Sequence, residues 1–344
     1  MECKLEDVVN FKNGKKKPNS KGNIPIYGGN GILGYTDKYN ANNNSIIIGR
    51  VGAYCGCVYK CKRECWVSDN AILGQVKENY DYMYVYYLMK TLNIHDLHVG
   101  SGQPLMTQDI LNNIIVDIPC YNEQVKIGKI LNDIDKKIEL NNQINNNLYE
   151  IGNKLLKNDF ILENEKQTLS QVIKFVKGKK PNNIITNKRV GYEKYLTIAC
   201  LNGQKLNYAD TNKMIMSYND LLMVMDGASS GKVYYGGQGI VGSTLARIDC
   251  TDSNYISEFM FFCLKYYKDL IQSKNTGSAI PHTDKVFVGS LEIPKLNIEK
   301  QEKYKVLLSK IQHNQNENKI LEQLRDTLLP KLMDGEIDLD KIEC

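Results

Sequence analysis

Two lysine clusters surround two glycines. Lys12, Lys15, Lys16 and Lys17 flank Gly14, and Lys174, Lys177, Lys179 and Lys180 flank Gly178. Clustered ammonium groups neutralise phosphates, which gives affinity for a nucleic-acid backbone without regard to sequence. The same residues also suit a loop that merely needs to stay solvated. Reading bases takes side chains that pair with groove edges, such as Arg, Asn, Gln, Ser or Thr. Ser101, Gln103 and Thr107 follow Gly100, and Ser278, His282 and Thr283 follow Gly277. Arg50 and Tyr54 beside Gly52, with Ser229, Ser230 and Lys232 beside Gly227, complete the candidate DNA-contacting set. The two Gly-Ser-x-x-Pro segments read equally well as structural turns.

Other chemistries are absent from the sequence. Gly227-Ala228-Ser229-Ser230-Gly231-Lys232 looks like a phosphate loop, but it is one residue short and Val233 stands where Ser or Thr would hold magnesium. Cys55, Cys57, Cys61 and Cys65 could surround a tetrahedral zinc. The spacing matches no familiar finger, and Ser230 and Lys232 replace Cys55 and Cys57 in the second copy, so no metal and no cofactor are expected. There is no metalloprotease helix, kinase set, nucleophile elbow or adenine-methyltransferase motif. His95, His98, His282 and His313 form no triad or metal set.

These segments are positioned by an internal repeat, the first thing to settle in such a chain. Leu5, Val8, Val9, Phe11, Gly14, Lys15 and Lys16 return about 164 residues later as Leu169, Val172, Ile173, Phe175, Gly178, Lys179 and Lys180. Gly52, Gly56, Val58 and Tyr59 return as Gly227, Gly231, Val233 and Tyr234, and Ser68 and Ala71 are matched with Ser243 and Ala246. Gly100-Ser101 with Pro104 returns as Gly277-Ser278 with Pro281. The chain has 344 residues, 42% of them hydrophobic and 24% charged, enough for two cored modules. A net charge of +5 alone does not indicate nucleic acid. No apolar stretch is long enough to span a membrane and no signal core opens the chain, so a cytoplasmic location with reduced thiols is expected.

Each copy is a mixed module followed by a polar helix. Short β-like runs such as Ser45–Ile48 and Leu221–Val224 alternate with glycine turns, and the segments around Tyr82–Tyr86 and Tyr255–Tyr267 read as helices. From about Tyr121 to Asn158, Ile127, Ile130, Ile134, Asn141, Ile144, Leu148, Ile151 and Leu155 fall on a heptad seam. The second copy reads Tyr304, Leu307, Ile311, Asn318, Leu321, Arg325, Leu328 and Leu332. Asn141 and Asn318 share one heptad position, where a polar residue either fixes register or is a solvated break. A helix of roughly 55 Å with so narrow an apolar stripe needs a partner. Its copy, packed antiparallel, is the obvious one. The expected fold is α+β: two similar mixed α/β modules separated by two long antiparallel coiled-coil helices, pseudo-twofold symmetric. The divisions are 1–118 and 164–294 for the modules, 119–163 for the first helix, and 295–344 for the second helix and tail.

This arrangement resembles the specificity subunits of type I restriction-modification systems over nearly the whole chain. The resemblance rests on the duplicated module-plus-helix, on Gly227–Val233, Gly277–Pro281 and Ile118-Pro119 leading to Glu123–Ile127, and on the closing segment Leu321–Ile337. Lys300-Gln301-Glu302 departs from Glu123-Gln124, and the cysteine cluster lies outside the family pattern. The resemblance implies two target-recognition domains on double-stranded DNA, each reading one half of a bipartite target. It implies helices that dock two methyltransferase subunits acting on adenine, and restriction or translocase subunits that join them. S-adenosylmethionine and ATP would bind those partners, and the subunit itself would catalyse nothing. The alternative is a non-catalytic, two-headed coiled-coil protein that binds another protein or a glycan.

Overall fold

A run of β-branched residues too short for a helix makes a strand buried on both faces. Ile46, Ile47 and Ile48 are fully buried in the strand Ser45–Gly49. In the computed structural model, which describes every residue except 101, 251–253, 278–279 and 340–344, the chain divides into two compact units. One is Met1–Leu140 with Glu317–Cys344, the other Asn141–Asn316. Each unit therefore holds one mixed module and part of each long helix.

In the first unit, Glu2–Lys4 pairs antiparallel with Ile115–Asp117, tying the start of the module to its end. A four-stranded sheet follows in the order Val9–Asn13, Ala71–Val76, Ser45–Gly49, Val58–Cys61, and a three-stranded sheet holds Gly31–Thr36, Ile24–Gly28 and Trp66–Val67. The helix Tyr82–Thr91 is N-capped by Asp81, whose carboxylate accepts from the Tyr84 amide at 2.8 Å. Tyr84, Val85 and Tyr87 of this helix share one core with Leu5, Val8, Ile127, Leu131 and, from the far end of the chain, Leu332.

The second unit repeats the plan. Lys166–Thr168 pairs antiparallel with Glu292–Pro294. Ile173–Lys177, Leu245–Cys250, Met216–Val224 and Val233–Val241 lie in the same order as their counterparts, within a seven-stranded sheet extended by Tyr192–Leu196, Tyr208–Asp210 and Ile184–Ile185. The helix Ser257–Tyr266 buries Phe259, Met260, Phe261 and Phe262. The ladders correct one detail of the repeat. Gly49 opposes Ala71 and Val224 opposes Leu245, so Ala71 corresponds to Leu245 rather than Ala246, and Ser68 to Gly242.

The long helices are Tyr121–Leu162 and Ile298–Met333. They run antiparallel in both units. In the first, Arg325 donates to Asp135 at 2.9 Å and Lys137 pairs with Glu317 at 3.4 Å. In the second, Asn314 donates to Asn145 at 2.9 Å and Lys303 pairs with Asp159 at 2.7 Å, which also accepts from the Tyr304 hydroxyl. Asn141 and Asn318 are 1% and 7% exposed, so neither is a solvated break. Tyr304, Ile311 and Leu332 are buried in the second helix, while Leu307, Leu321 and Leu328 are half-buried. The first helix departs from the expected seam. Ile127 is buried, but Ile130, Ile134, Ile144 and Leu148 are half-buried and Ile151 is 46% exposed. Leu131, Asn145, Gly152 and Leu156, all off that seam, are buried as well, because this helix must face its partner helix and its module's core at once. Gln124 and Gln301 do one job at both helix starts despite their different neighbours. Gln124 accepts from the Asp81 amide at 2.9 Å and Gln301 from the Ile256 amide at 3.0 Å, each pinning the start of the module helix.

Candidate nucleic-acid interface

The lysine clusters sit on loops that glycine makes possible. A Cβ on Gly14 would lie 1.9 Å from the Ser68 carbonyl oxygen, and one on Gly178 would lie 2.2 Å from that of Val241. No other residue fits where these chains pass so closely. The same bonds follow: Lys15 N–H donates to Val67 at 2.9 Å, Lys179 N–H to Val241 at 3.3 Å. Lys12, Lys15, Lys16 and Lys17 are exposed, as are Lys174, Lys177, Lys179 and Lys180.

Beside each loop lies a glycine turn that is likewise repeated. Gly56 N–H donates to Gly49 at 2.8 Å and Gly231 N–H to Val224 at 2.9 Å; Gly52 and Gly227 both have positive φ. The turn joins two strands, Met216–Val224 and Val233–Val241, so no helix N-terminus follows to receive a phosphate. The Gly-Ser loops are stitched to it. Gly52 N–H donates to Pro104 at 3.0 Å and Gly227 N–H to Pro281 at 2.9 Å. Arg50 N–H donates to Asn70, and its guanidinium to the Asp69 carbonyl at 3.3 Å. The lysine loop, the glycine turn and the Gly-Ser loop thus gather at one end of the four-stranded order in each module.

Several expected contact residues are spent on the scaffold. Ser230 is fully buried and donates to the carbonyls of Gly227 and Pro281 at 2.7 and 2.8 Å. Thr283 is 6% exposed and donates to the Val224 carbonyl at 2.7 Å. The Thr107 hydroxyl caps the helix Gln108–Asn112 by accepting from Ile110 N–H at 3.2 Å. Ser230 and Thr283 commit their hydroxyl proton to backbone carbonyls, whereas Thr107 accepts a bond and keeps its O–H to donate. Ser101 and Ser278 lie outside the described residues. Tyr54 is 47% exposed, Gln103 is exposed, and Arg50 and Ser229 are half-buried. Lys232 Nζ lies 4.6 Å from the Tyr234 ring centre and donates to Asn202 at 3.4 Å. Asp226 is a site residue that motif and spacing did not single out. Its carboxylate meets His282 Nδ1 at 2.7 Å and Lys177 Nζ at 3.0 Å. Burial works against that carboxyl, yet hydrogen bonds from His282 and Lys177 hold it below the usual carboxylate range. The sequence signal for it is a difference at a repeated place, Val51 before Gly52 against Asp226 before Gly227.

The four clustered cysteines do not converge. Cys55 belongs to the core around Leu5 and Tyr84, with Sγ on the Arg50 carbonyl at 3.5 Å, while Cys61 and Cys65 belong to a separate cluster with Val67 and Leu73. Among the described residues no group of three or more His, Cys, Asp or Glu side chains is placed to hold a metal ion. Nor is any described helix long and apolar enough to cross a membrane.

Comparison with known proteins agrees with this duplicated plan. Residues 1–150 and 162–326 match the model of the type I restriction modification DNA specificity domain. The chain is 28% identical over 144 residues to the type I restriction enzyme MjaVIII specificity subunit of Methanocaldococcus jannaschii, covering 41% of this chain and 34% of that protein. It is 27% identical over 111 residues to the EcoprrI specificity subunit of Escherichia coli, covering 32% and 28% respectively. The matched stretches thus span about a third of these relatives. Among solved structures, the S subunit of a type I restriction-modification system from M. genitalium has a TM-score of 0.68 at 19% identity, over 96% of this chain and 95% of that one. That likeness is one of fold.

Proposed function

Because the chain belongs to the type I restriction-modification DNA specificity family, we propose that it is the non-catalytic subunit that selects the DNA target of such a complex. Each module binds one half of a bipartite double-stranded target. Lys15, Lys16, Lys17, Lys179 and Lys180 hold phosphates, and Arg50, Tyr54, Gln103, Ser229, Lys232 and His282 face the grooves. The observation that carries this reading is the repeated lysine-loop, glycine-turn and Gly-Ser-loop scaffold, present in both modules at matching hydrogen bonds. The long helices, each shared between the two units, join the two half-site readers in one chain. Two methyltransferase subunits acting on adenine dock on the chain, restriction or translocase subunits complete the assembly, and S-adenosylmethionine and ATP bind to those partners. The work is done in the cytoplasm, where the DNA is.

Exchange of residues 1–118 for those of another such subunit is expected to alter one half of the methylated sequence and leave the other. A change in both halves, or in neither, rejects the assignment of one half-site to each module. Neutralising the second lysine loop with Lys179→Gln and Lys180→Gln is expected to weaken DNA binding about tenfold across all sequences. It should also flatten the log–log salt dependence by about 1 for each phosphate no longer neutralised. An unchanged slope in a salt titration means these lysines only solvate a loop.

A further inference from the structure

One backbone motif recurs in both modules with opposite side-chain chemistry. In the first module Leu105 bridges both Val51 and Val99; in the second His282 bridges both Asp226 and Thr276. The hydrogen bonds match. Val99 and Leu105 exchange theirs at 3.0 and 2.9 Å, Thr276 and His282 at 2.9 and 2.7 Å. Met106 N–H donates to Arg50 at 2.8 Å, and Thr283 N–H to Met225 at 2.8 Å. Lys177, which pairs with Asp226 at 3.0 Å, is the residue before the lysine-loop glycine, and the matching residue of the first module is Asn13.

The first module thus offers an apolar surface here, with Val99 49% exposed. The second offers a charged one, opening on a cleft of about 420 Å³ lined by Lys177, Asp226, Thr276, His282 and Lys285. The backbone asks nothing of these side chains, since the same bridges form around valine and leucine. Packing does not explain the polar set either, because half of the His282 side chain is exposed. Asp226 occupies Nδ1 of His282, which fixes the ring and leaves Nε2 open to a ligand. Lys177, held by the same carboxylate at 3.0 Å, continues directly into the phosphate-binding loop.

The geometry points to this bridge as a base-reading position in each module, occupied by His282 braced by Asp226 in the second and by the apolar Val51–Val99–Leu105 surface in the first. His282 Nε2 makes a hydrogen bond to a base edge, whereas the apolar surface suits the methyl group of thymine. Asp226 is a positioning residue. The inference rests on the DNA-binding reading of the chain and adds which residues discriminate.

The test places the first module's side chains on the second. The full chain carrying Asp226→Val, Thr276→Val and His282→Leu is assembled with its methyltransferase subunits, and its methylated sequences are mapped beside those of the unaltered chain and of His282→Gln. Discrimination at one base pair of the second half-site is expected to fall about tenfold or more with the triple variant, and to change at that same pair with His282→Gln. The first half-site should be untouched. Retention of the original preference at every position by active variants overturns the inference. Should the triple variant be inactive, His282→Gln decides alone, and an unchanged preference there overturns it equally. An unaltered chain that confers no sequence preference at all refutes the DNA-binding reading instead.

Discussion

Asp135→Ala is expected to destabilise the first unit by about 3 kcal/mol, near the low end for breaking a buried ion pair. The carboxylate accepts from the Tyr87 hydroxyl at 2.6 Å, from Arg325 at 2.9 Å and from Lys60 at 3.0 Å. Removing it leaves Lys60 beside Arg325, whose remaining partner is the exposed Asp326 carboxylate at 2.8 Å. The low end applies because the Asp135, Arg325 and Lys60 side chains keep 18, 22 and 21% of their exposure. Trp66 is the only tryptophan and lies in this unit, so its fluorescence through a denaturant titration reports on that unit. The pH dependence follows from the same contacts. Burial favours the neutral acid, but hydrogen bonds from Tyr87, Arg325 and Lys60 outweigh it and hold Asp135 at about 2. An unfolded aspartate titrates near about 3.9. A folded pKa below the unfolded one stabilises above the unfolded value, and that contribution is lost as pH falls through the folded one. The gap between the unaltered chain and Asp135→Ala should therefore hold steady from pH 7 to about 5 and shrink toward pH 2. A gap that stays constant down to pH 3 assigns the loss to packing instead.

At the matching place the second unit puts aromatic rings where the first has its ionic cluster. The repeat sets Tyr87 against Phe262, Arg325 against Leu148 and Lys60 against Tyr235. Phe262 is fully buried, with its ring centre 5.4 Å from that of Tyr304 and 6.5 Å from that of Tyr149. The ionic cluster around Asp135 thus has an aromatic counterpart around Phe262, with the Lys303–Asp159 pair bonded to the Tyr304 hydroxyl beside it. Arg325 shows how far the sequence could be read. Its place on a heptad seam was visible from spacing, but the Asp135 carboxylate that justifies a cation there lies 190 residues away along the chain. Periodicity found the inward face at Tyr304, Ile311 and Leu332 and missed it at Ile151, and it carries nothing about a partner fixed by tertiary contact.

The loops divide along the same line. Glycines and lysines at matching places were legible, since a close backbone approach admits glycine alone and the repeat displays the requirement twice. The hydroxyls were not. Ser230, Thr283 and Thr107 have the right chemistry to meet a base, and only the fold reveals that the first two donate their proton to backbone carbonyls while Thr107 caps a helix by accepting. Asp226 and His282 were equally hidden as a pair, because 56 residues separate them in the chain while 2.7 Å separates them in the fold.

Gly152→Ala runs against local expectation in a way that tests the aromatic packing around Phe262. In a helix interior alanine is favoured over glycine by about 1 kcal/mol, so on propensity alone this change stabilises the first long helix. The structure predicts the reverse. A Cβ on Gly152 would stand 2.1 Å from Phe262 Cε1 and 2.6 Å from Cδ1, where the ring has no room to retreat. Phe262 is already wedged among Phe261, Tyr149 and Tyr304. Overpacking of this kind costs about 1–3 kcal/mol or somewhat more, and here it should outweigh propensity to leave a net loss of about 2 kcal/mol. Phe262→Leu, which removes the offending ring edge, separates the two effects. Alone it should destabilise by about 1–2 kcal/mol because the smaller side chain packs less well. Combined with Gly152→Ala it should cost less than the sum of the two single changes, because each relieves the other's strain. Hydrogen exchange across Ser257–Tyr266 measures the result in the unit concerned, and additive losses there mean that the glycine is not a seat for the ring.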